Sequence, residues 1–152
     1  MGLDMYLYAG KYVGNWDHDK PEEKMEYKNV LQAIGSKEFT CAGSPHLNVK
    51  ICVAYWRKAN QIHSWFVQNI QNKVDNCASY YVRPERLQEL IDLCKKVLET
   101  KDSSLLEPAG GFFFGSTDID DYYWEDLENT IKQLEKVLSE FKGFEFYYHA
   151  SW

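Results

Sequence analysis

Residues 55–66, YWRKANQIHSWF, bring an arginine, an asparagine and a histidine together among aromatics. The segment is read as a helix from about Trp56 to Ile70. At about 100° per residue, Trp56, Ala59, Ile62, Phe66, Val67 and Ile70 then fill one arc. His63 falls in the middle of that arc and Asn60 at its edge, beside Trp56. Two polar side chains therefore aim at a core or a cavity. A buried polar group without a partner costs roughly 1–3 kcal/mol, so protein, water or a ligand must satisfy each of them. Histidine titrates near neutral pH and could bind, or act as a general acid or base. The structural alternative is a core histidine bonded to a carbonyl or a tyrosine.

Arg57 and Lys58 open the same helix. Their charges, added to the free N–H groups of a helix N-terminus, suit an anion. The plainer reading is a solvated surface pair. Trp65 falls on the opposite, polar side, either exposed as a partner surface or covered by a loop.

Residues 110–116, GGFFFGS, form a second cluster. It is neither a Walker A loop nor a GxGxxG fingerprint. In a strand, Phe112 and Phe114 would share a face and Phe113 would take the other. Glycines let backbone approach something closely, a ligand or another strand. Together, Trp56, Arg57, Asn60, His63, Phe112 and Phe114 define the candidate ligand-binding set. The aromatics would stack a base and the polar groups would fix it.

The acidic run Asp118, Asp120, Asp121, Glu125 and Asp126 raises a magnesium reading. A helix start explains it better: Thr117 or Asp118 as N-cap, with acids offsetting the dipole. No metal site and no cofactor is expected. His149 could face His63 across the fold, whereas His18 and His46 sit in polar loops. There is no nucleophile elbow, HExxH or paired-carboxylate motif, so binding is favoured over catalysis.

These groups sit in a chain of 152 residues, the size of one domain, with 45% hydrophobic and 26% charged residues. The 5 Trp, 11 Tyr and 8 Phe supply core, a stacking pocket or an interface. Net charge is −6, and the longest basic runs are the pairs Arg57-Lys58 and Lys95-Lys96. Duplex nucleic acid is therefore not an expected partner. Cys41, Cys52, Cys77 and Cys94 lack CxxC or zinc spacing and are read as reduced thiols in a cytoplasmic protein. No signal-peptide pattern or apolar span points to export or a membrane.

The elements that must position these groups follow from periodicity. Leu3–Tyr8 alternates as a strand, and Pro21 opens a helix with Met25, Val30, Leu31 and Ile34 on its apolar side and Gly35 after it. Residues 36–46 look irregular. A strand covers about Leu47–Tyr55, with Val49, Ile51, Val53 and Tyr55 on one face, and a short one Tyr80–Val82. Helices run from Pro84 to about Thr100 and from about Asp118–Asp121 to Phe141, and Phe144–Trp152 alternates again. The expected architecture is one α+β domain over residues 1–152. It has a small mixed or antiparallel sheet of about three or four strands, covered by about four helices, with the helices on one face.

The opening MGLDMYLY, the central YWRKANQIHSWF, and the end, GFFFGSTDIDDYYWEDLENTIKQLEKVL followed by FYYHASW, occur in that order. Together they resemble a widespread family of small phage and prophage proteins of unassigned function. The resemblance implies an accessory role in infection, in the host cytoplasm. Small proteins of that setting counter bacterial defences by blocking a defence protein, or by sequestering or degrading a nucleotide signal. The leading expectation is thus sequestration of a small anionic, nucleotide-like ligand. The alternatives are a protein-binding inhibitor of a host defence system and a small hydrolase or phosphodiesterase using His63. A homo-oligomer with aromatic surface at its interface is a further expectation.

Overall fold

The computed structural model describes residues 2–36 and 41–152. Among them the elements run β1 (Asp4–Gly14), α1 (Pro21–Ala33), β2 (His46–Arg57), α2 (Asn60–Asn69), β3 (Ser79–Val82), α3 (Pro84–Thr100), a 3-10 turn (Ser103–Leu106), α4 (Asp121–Glu140) and β4 (Glu145–Ser151). The strands form one antiparallel sheet in the order β2-β1-β4-β3, so the fold is α+β. Pairing between β3 and β4 sets Ser79 opposite His149 and Val82 opposite Phe146.

Backbone contacts divide the chain into a larger unit, Met1–Ala9 with Ile51–Trp152, and a smaller one, Gly10–Lys50. In the larger unit the strands alternate, as a sheet with one covered face must. Met5, Leu7, Ala9, Ala54, Trp56, Val82, Phe146, Tyr148 and Ala150 point inward. They pack with Ile62 and Phe66 of α2, with the stripe Leu87, Leu90, Ile91, Cys94 and Val97 of α3, and with Leu127, Leu134 and Val137 of α4. Fully burying each such Leu or Ile contributes ~1.5–3 kcal/mol, which is why the period-3.6 stripes of α3 and α4 face the sheet. Tyr6, Tyr8, Tyr55, Tyr81, Tyr147 and His149 alternate onto the other face, where Tyr6 lies against Tyr55 and His149. The edge strand β2 is partly sealed by α4. The Gln133 amide accepts from the Tyr55 N–H at 2.9 Å and donates to the Tyr55 carbonyl at 3.1 Å.

In the smaller unit α1 begins at Pro21, and the Glu23 carboxylate accepts from the Lys20 N–H at 2.9 Å. Tyr27 and Leu31 pack with Val13, Leu47 and Val49. Gly35, at φ +84°, ends the helix as expected, but Met25 and Ile34 of the expected apolar side are exposed. His46 begins β2 rather than lying in a loop; its ring stacks on Tyr12 and bonds Ser44. Within the expected irregular segment 36–46, residues 37–40 lie outside the described residues.

Two boundaries differ from the sequence reading in ways that matter for the site. β1 continues to Gly14, and β2 continues through Trp56 and Arg57, so α2 starts at Asn60 rather than at Trp56. Ala54 and Trp56 follow strand alternation. Lys58 adopts the left-handed conformation (φ 59°), and its N–H donates to the Leu3 carbonyl at 2.8 Å, which ends the strand with a turn. Sheet pairing overrides the helical period of the flanking apolar residues. Among the described residues, no helix is long and apolar enough to cross a membrane.

Candidate functional site

His63 lies in the core, 1% exposed. Its Nδ1 is 2.7 Å from the Tyr148 hydroxyl and its Nε2 is 3.0 Å from Asp75 Oδ1. The carboxylate can only accept, so neutral His63 donates through Nε2 and accepts from the Tyr148 O–H through Nδ1. Phe114 and Trp152 pack on the ring. Burial pushes its pKa below the ordinary 6.5, and the Asp75 carboxylate opposes that shift in part. Burial also drives the Tyr148 phenol well above its ordinary value. Both ring nitrogens are satisfied within the protein. His149 sits on the opposite face of the sheet, beside Tyr6, and does not meet His63.

Asn60 is the first residue of α2 and is 2% exposed. Its Nδ2 donates to the carbonyls of Phe114 (3.1 Å) and Ser116 (2.8 Å), and its Oδ1 accepts from the Ala109 N–H (3.2 Å). One amide thereby holds both ends of the glycine-rich loop. Within that loop the Phe114 N–H donates to Gly111 O at 3.1 Å, making a turn rather than a strand. A Cβ on Gly111 would lie 2.6 Å from the Phe114 ring, and Gly115 has φ +92° with Lys58 against it. The turn separates the phenylalanines: Phe114 is buried, Phe113 packs partly on the core, and Phe112 is 95% exposed. Phe112 and Phe114 therefore do not share a face.

The fixed loop forms one wall of a cleft of about 350 Å³, whose lining includes Arg57, Lys58, Asn60, Gln61, Asp118, Asp120, Tyr122 and Asp126. Arg57 alternates outward from Trp56, whose indole N–H donates to Thr130 Oγ1 at 2.9 Å and ties the end of β2 to α4. Lys58 follows in its left-handed turn. Among the described residues, neither cation forms an ion pair. The N-cap of α2 is Ala59, which offers no side-chain acceptor to the first-turn N–H groups.

The acidic residues of the cleft differ in exposure: Asp118 and Asp120 are exposed and Asp126 is half-buried. Asp118 accepts from Ser116 Oγ at 2.7 Å, and Asp120 caps α4 by accepting from the Tyr123 N–H at 3.1 Å. The cap is thus Asp120, not Thr117 or Asp118. Asp126 Oδ2 accepts from Gln61 Nε2 at 3.1 Å, and Oδ1 accepts no hydrogen bond among the described residues. Burial pushes Asp126 up to about 6; the Gln61 bond opposes this, and the nearby Asp120 and Glu125 charges add to it. Tyr122, one turn before Asp126 on the same helix face, is 75% exposed. Among the described residues, no three His, Cys, Asp or Glu converge as metal ligands.

Of the candidate set, Arg57 and Asn60 reach the cleft, Asn60 as a clamp with its polar atoms already engaged. Trp56, His63 and Phe114 support it from the core, and Phe112 points to solvent. Trp65 is buried, under the Arg86 guanidinium 5.8 Å away. The spacing in the sequence does not single out Gln61 or Tyr122, and it presents Asp126 only as a member of the acidic run. The i,i+4 relation of Tyr122 and Asp126 is a signal, but the helix-start explanation of the acidic run absorbed it. No protein-family model matches the chain, and neither the curated proteins nor the solved structures compared with it give a match.

Proposed function

We propose that the protein captures a small anionic, nucleotide-like ligand in this cleft. One observation carries the reading: Arg57 and Lys58, two cations that form no ion pair among the described residues, share the cleft with a helix start that no side chain caps. Positive charge beside the positive end of a helix dipole suits a phosphate or carboxylate, although the Asn60 N–H itself donates to the Lys58 carbonyl at 2.8 Å. The volume lies at the lower end of the ~300–1,000 Å³ typical of ligand pockets, the scale of one nucleotide rather than a large cofactor. In the phage setting that the sequence resemblance implies, such capture would remove a host defence signal. Binding without turnover is favoured, because His63 is enclosed with both nitrogens engaged and gives a hydrolytic role little support.

A thermal-shift series with mononucleotides tests the reading. Ligand at 100 times its dissociation constant adds ~2.7 kcal/mol, on the order of 5–10 °C for a chain of this size. The shift is expected to vanish in Arg57→Ala combined with Lys58→Ala. A flat series for the wild-type protein defeats the proposal. A second reading, a protein-binding inhibitor, rests on the tyrosine-rich sheet face, where Tyr55 and Tyr81 are exposed. A host protein or a second copy of the chain would then be the partner.

A further inference from the structure

The cleft lining carries two cations, Arg57 and Lys58, and three carboxylates, Asp118, Asp120 and Asp126, each of which accepts one hydrogen bond among the described residues. Asp118 accepts from a loop hydroxyl and Asp120 caps α4, and both are exposed. Asp126 is the half-buried one: its Oδ2 accepts from Gln61, and its Oδ1 accepts no hydrogen bond among the described residues. Tyr122 stands one helical turn away with its ring exposed in the same cleft. A planar group stacked on Tyr122 would present its edge to Asp126, while a phosphate on that group reached toward Arg57 and Lys58.

The edge that suits an ionised carboxylate carries two parallel donors, as a guanidinium does. Guanine offers such an edge, N1–H and N2–H. Hypoxanthine offers N1–H alone. Adenine sets the lone pair of N1 against the carboxylate and has only its N6 amine to donate. The carboxylate is already short of partners, so a ligand that adds an acceptor costs more than one that adds nothing.

We propose that the cleft selects a guanine nucleotide over an adenine nucleotide, with Asp126 reading the base edge and Tyr122 stacking on it. This rests on the capture reading above and narrows it to a ligand class.

The test is calorimetric titration of the full chain at pH 7.5 with guanosine, inosine and adenosine 5′-monophosphates and with inorganic phosphate. The expected result is guanosine monophosphate at least tenfold tighter than adenosine monophosphate, with inosine monophosphate between them. Asp126→Asn, checked for folding by circular dichroism, is expected to erase the ratio while leaving phosphate binding in place. A guanosine-to-adenosine ratio below tenfold overturns the base assignment and leaves the capture reading standing. A tenfold ratio that persists in Asp126→Asn overturns the role of Asp126. If no nucleotide and no phosphate binds, the capture reading falls and this inference with it. The wild-type titrations decide the selectivity by themselves, should the variant fold poorly.

Discussion

The His63 network and the Asp126 cleft are built from the same kinds of groups and are finished differently. Around His63, the Tyr148 hydroxyl and the Asp75 carboxylate meet both ring nitrogens at 2.7 and 3.0 Å, and aromatic rings enclose the imidazole. In the cleft, among the described residues, Arg57 and Lys58 form no ion pair and Asp126 Oδ1 accepts no hydrogen bond. A satisfied buried network stabilises the fold; an unsatisfied, accessible one has capacity left for a ligand. Titratable residues near one another do not make a site. Unused hydrogen-bonding capacity facing a cavity does.

The largest expected effect breaks the closed network. His63→Ala leaves the Tyr148 hydroxyl and Asp75 without their partner and opens a cavity among aromatics, at a cost of ~2–4 kcal/mol. Chemical denaturation reads this directly, and melting should fall by roughly 5–15 °C. Nucleotide affinity of the folded fraction should stay within about twofold, because His63 does not line the cleft. Tyr148→Phe removes one bond from the same network and should cost less, ~1–2 kcal/mol. An intact melting temperature with lost binding would reverse the assignment and make His63 part of the site.

The two regions also respond to pH with opposite sign. His63 has its folded pKa below the unfolded value, so the unfolded chain binds the proton better. Its contribution is fully present above about 6.5 and is lost as pH falls below it. Asp126 is raised from 3.8 to about 6 on folding, so here the folded chain holds the proton better. That contribution is present below about 4 and is lost as pH rises to about 6. Asp120 at the N-cap of α4 and Glu125 within it press on Asp126, and Asp118, Arg57, Lys58 and Tyr122 also line the cleft. Asp126→Asn should therefore stabilise the free protein at pH 7.5, by ~1–2 kcal/mol after discounting for solvent screening. It should also flatten the fall in stability between pH 4 and 6, and leave the acid loss due to His63 unchanged. A variant less stable than wild type at pH 7.5 would mean that Asp126 is a satisfied structural carboxylate.

The contrast was only half legible in the sequence. The α3 helix start at Pro84 and the C-terminal strand follow from proline chemistry and periodicity and match the reading, whereas β1 runs on to Gly14 and the buried side of α4 includes Tyr123, Thr130 and Val137. The inward aim of Asn60 and His63 was legible too, because both sit on the apolar arc of their segment. Their partners were not. Asp75, Tyr148 and the carbonyls of Phe114 and Ser116 lie 12 to 85 residues away, and only tertiary packing brings them in. Reading Trp56 as helical had a further cost: it aimed Trp56 at the pocket, whereas strand alternation sends Trp56 to the core and Arg57 outward. The acidic run was read as a helix start, which holds for Asp120 but conceals the different position of Asp126 one turn further along.

The smallest effect sharpens the comparison at the tip of the glycine-rich loop. Phe112 is 95% exposed, lies outside the cleft lining and, among the described residues, meets a ring only in its neighbour Phe113. Phe112→Ser should change stability by less than ~0.5 kcal/mol, as surface substitutions do. It should also leave nucleotide affinity unchanged within about twofold in the same titration. If affinity falls tenfold with stability intact, the loop tip must fold over the bound base, and the cleft would be finished by its ligand rather than by the free fold. If neither quantity moves, the exposed ring is free to serve a protein partner. Pull-down of a host protein by wild type but not by Phe112→Ser would then identify the loop tip as a second contact surface, separate from the cleft.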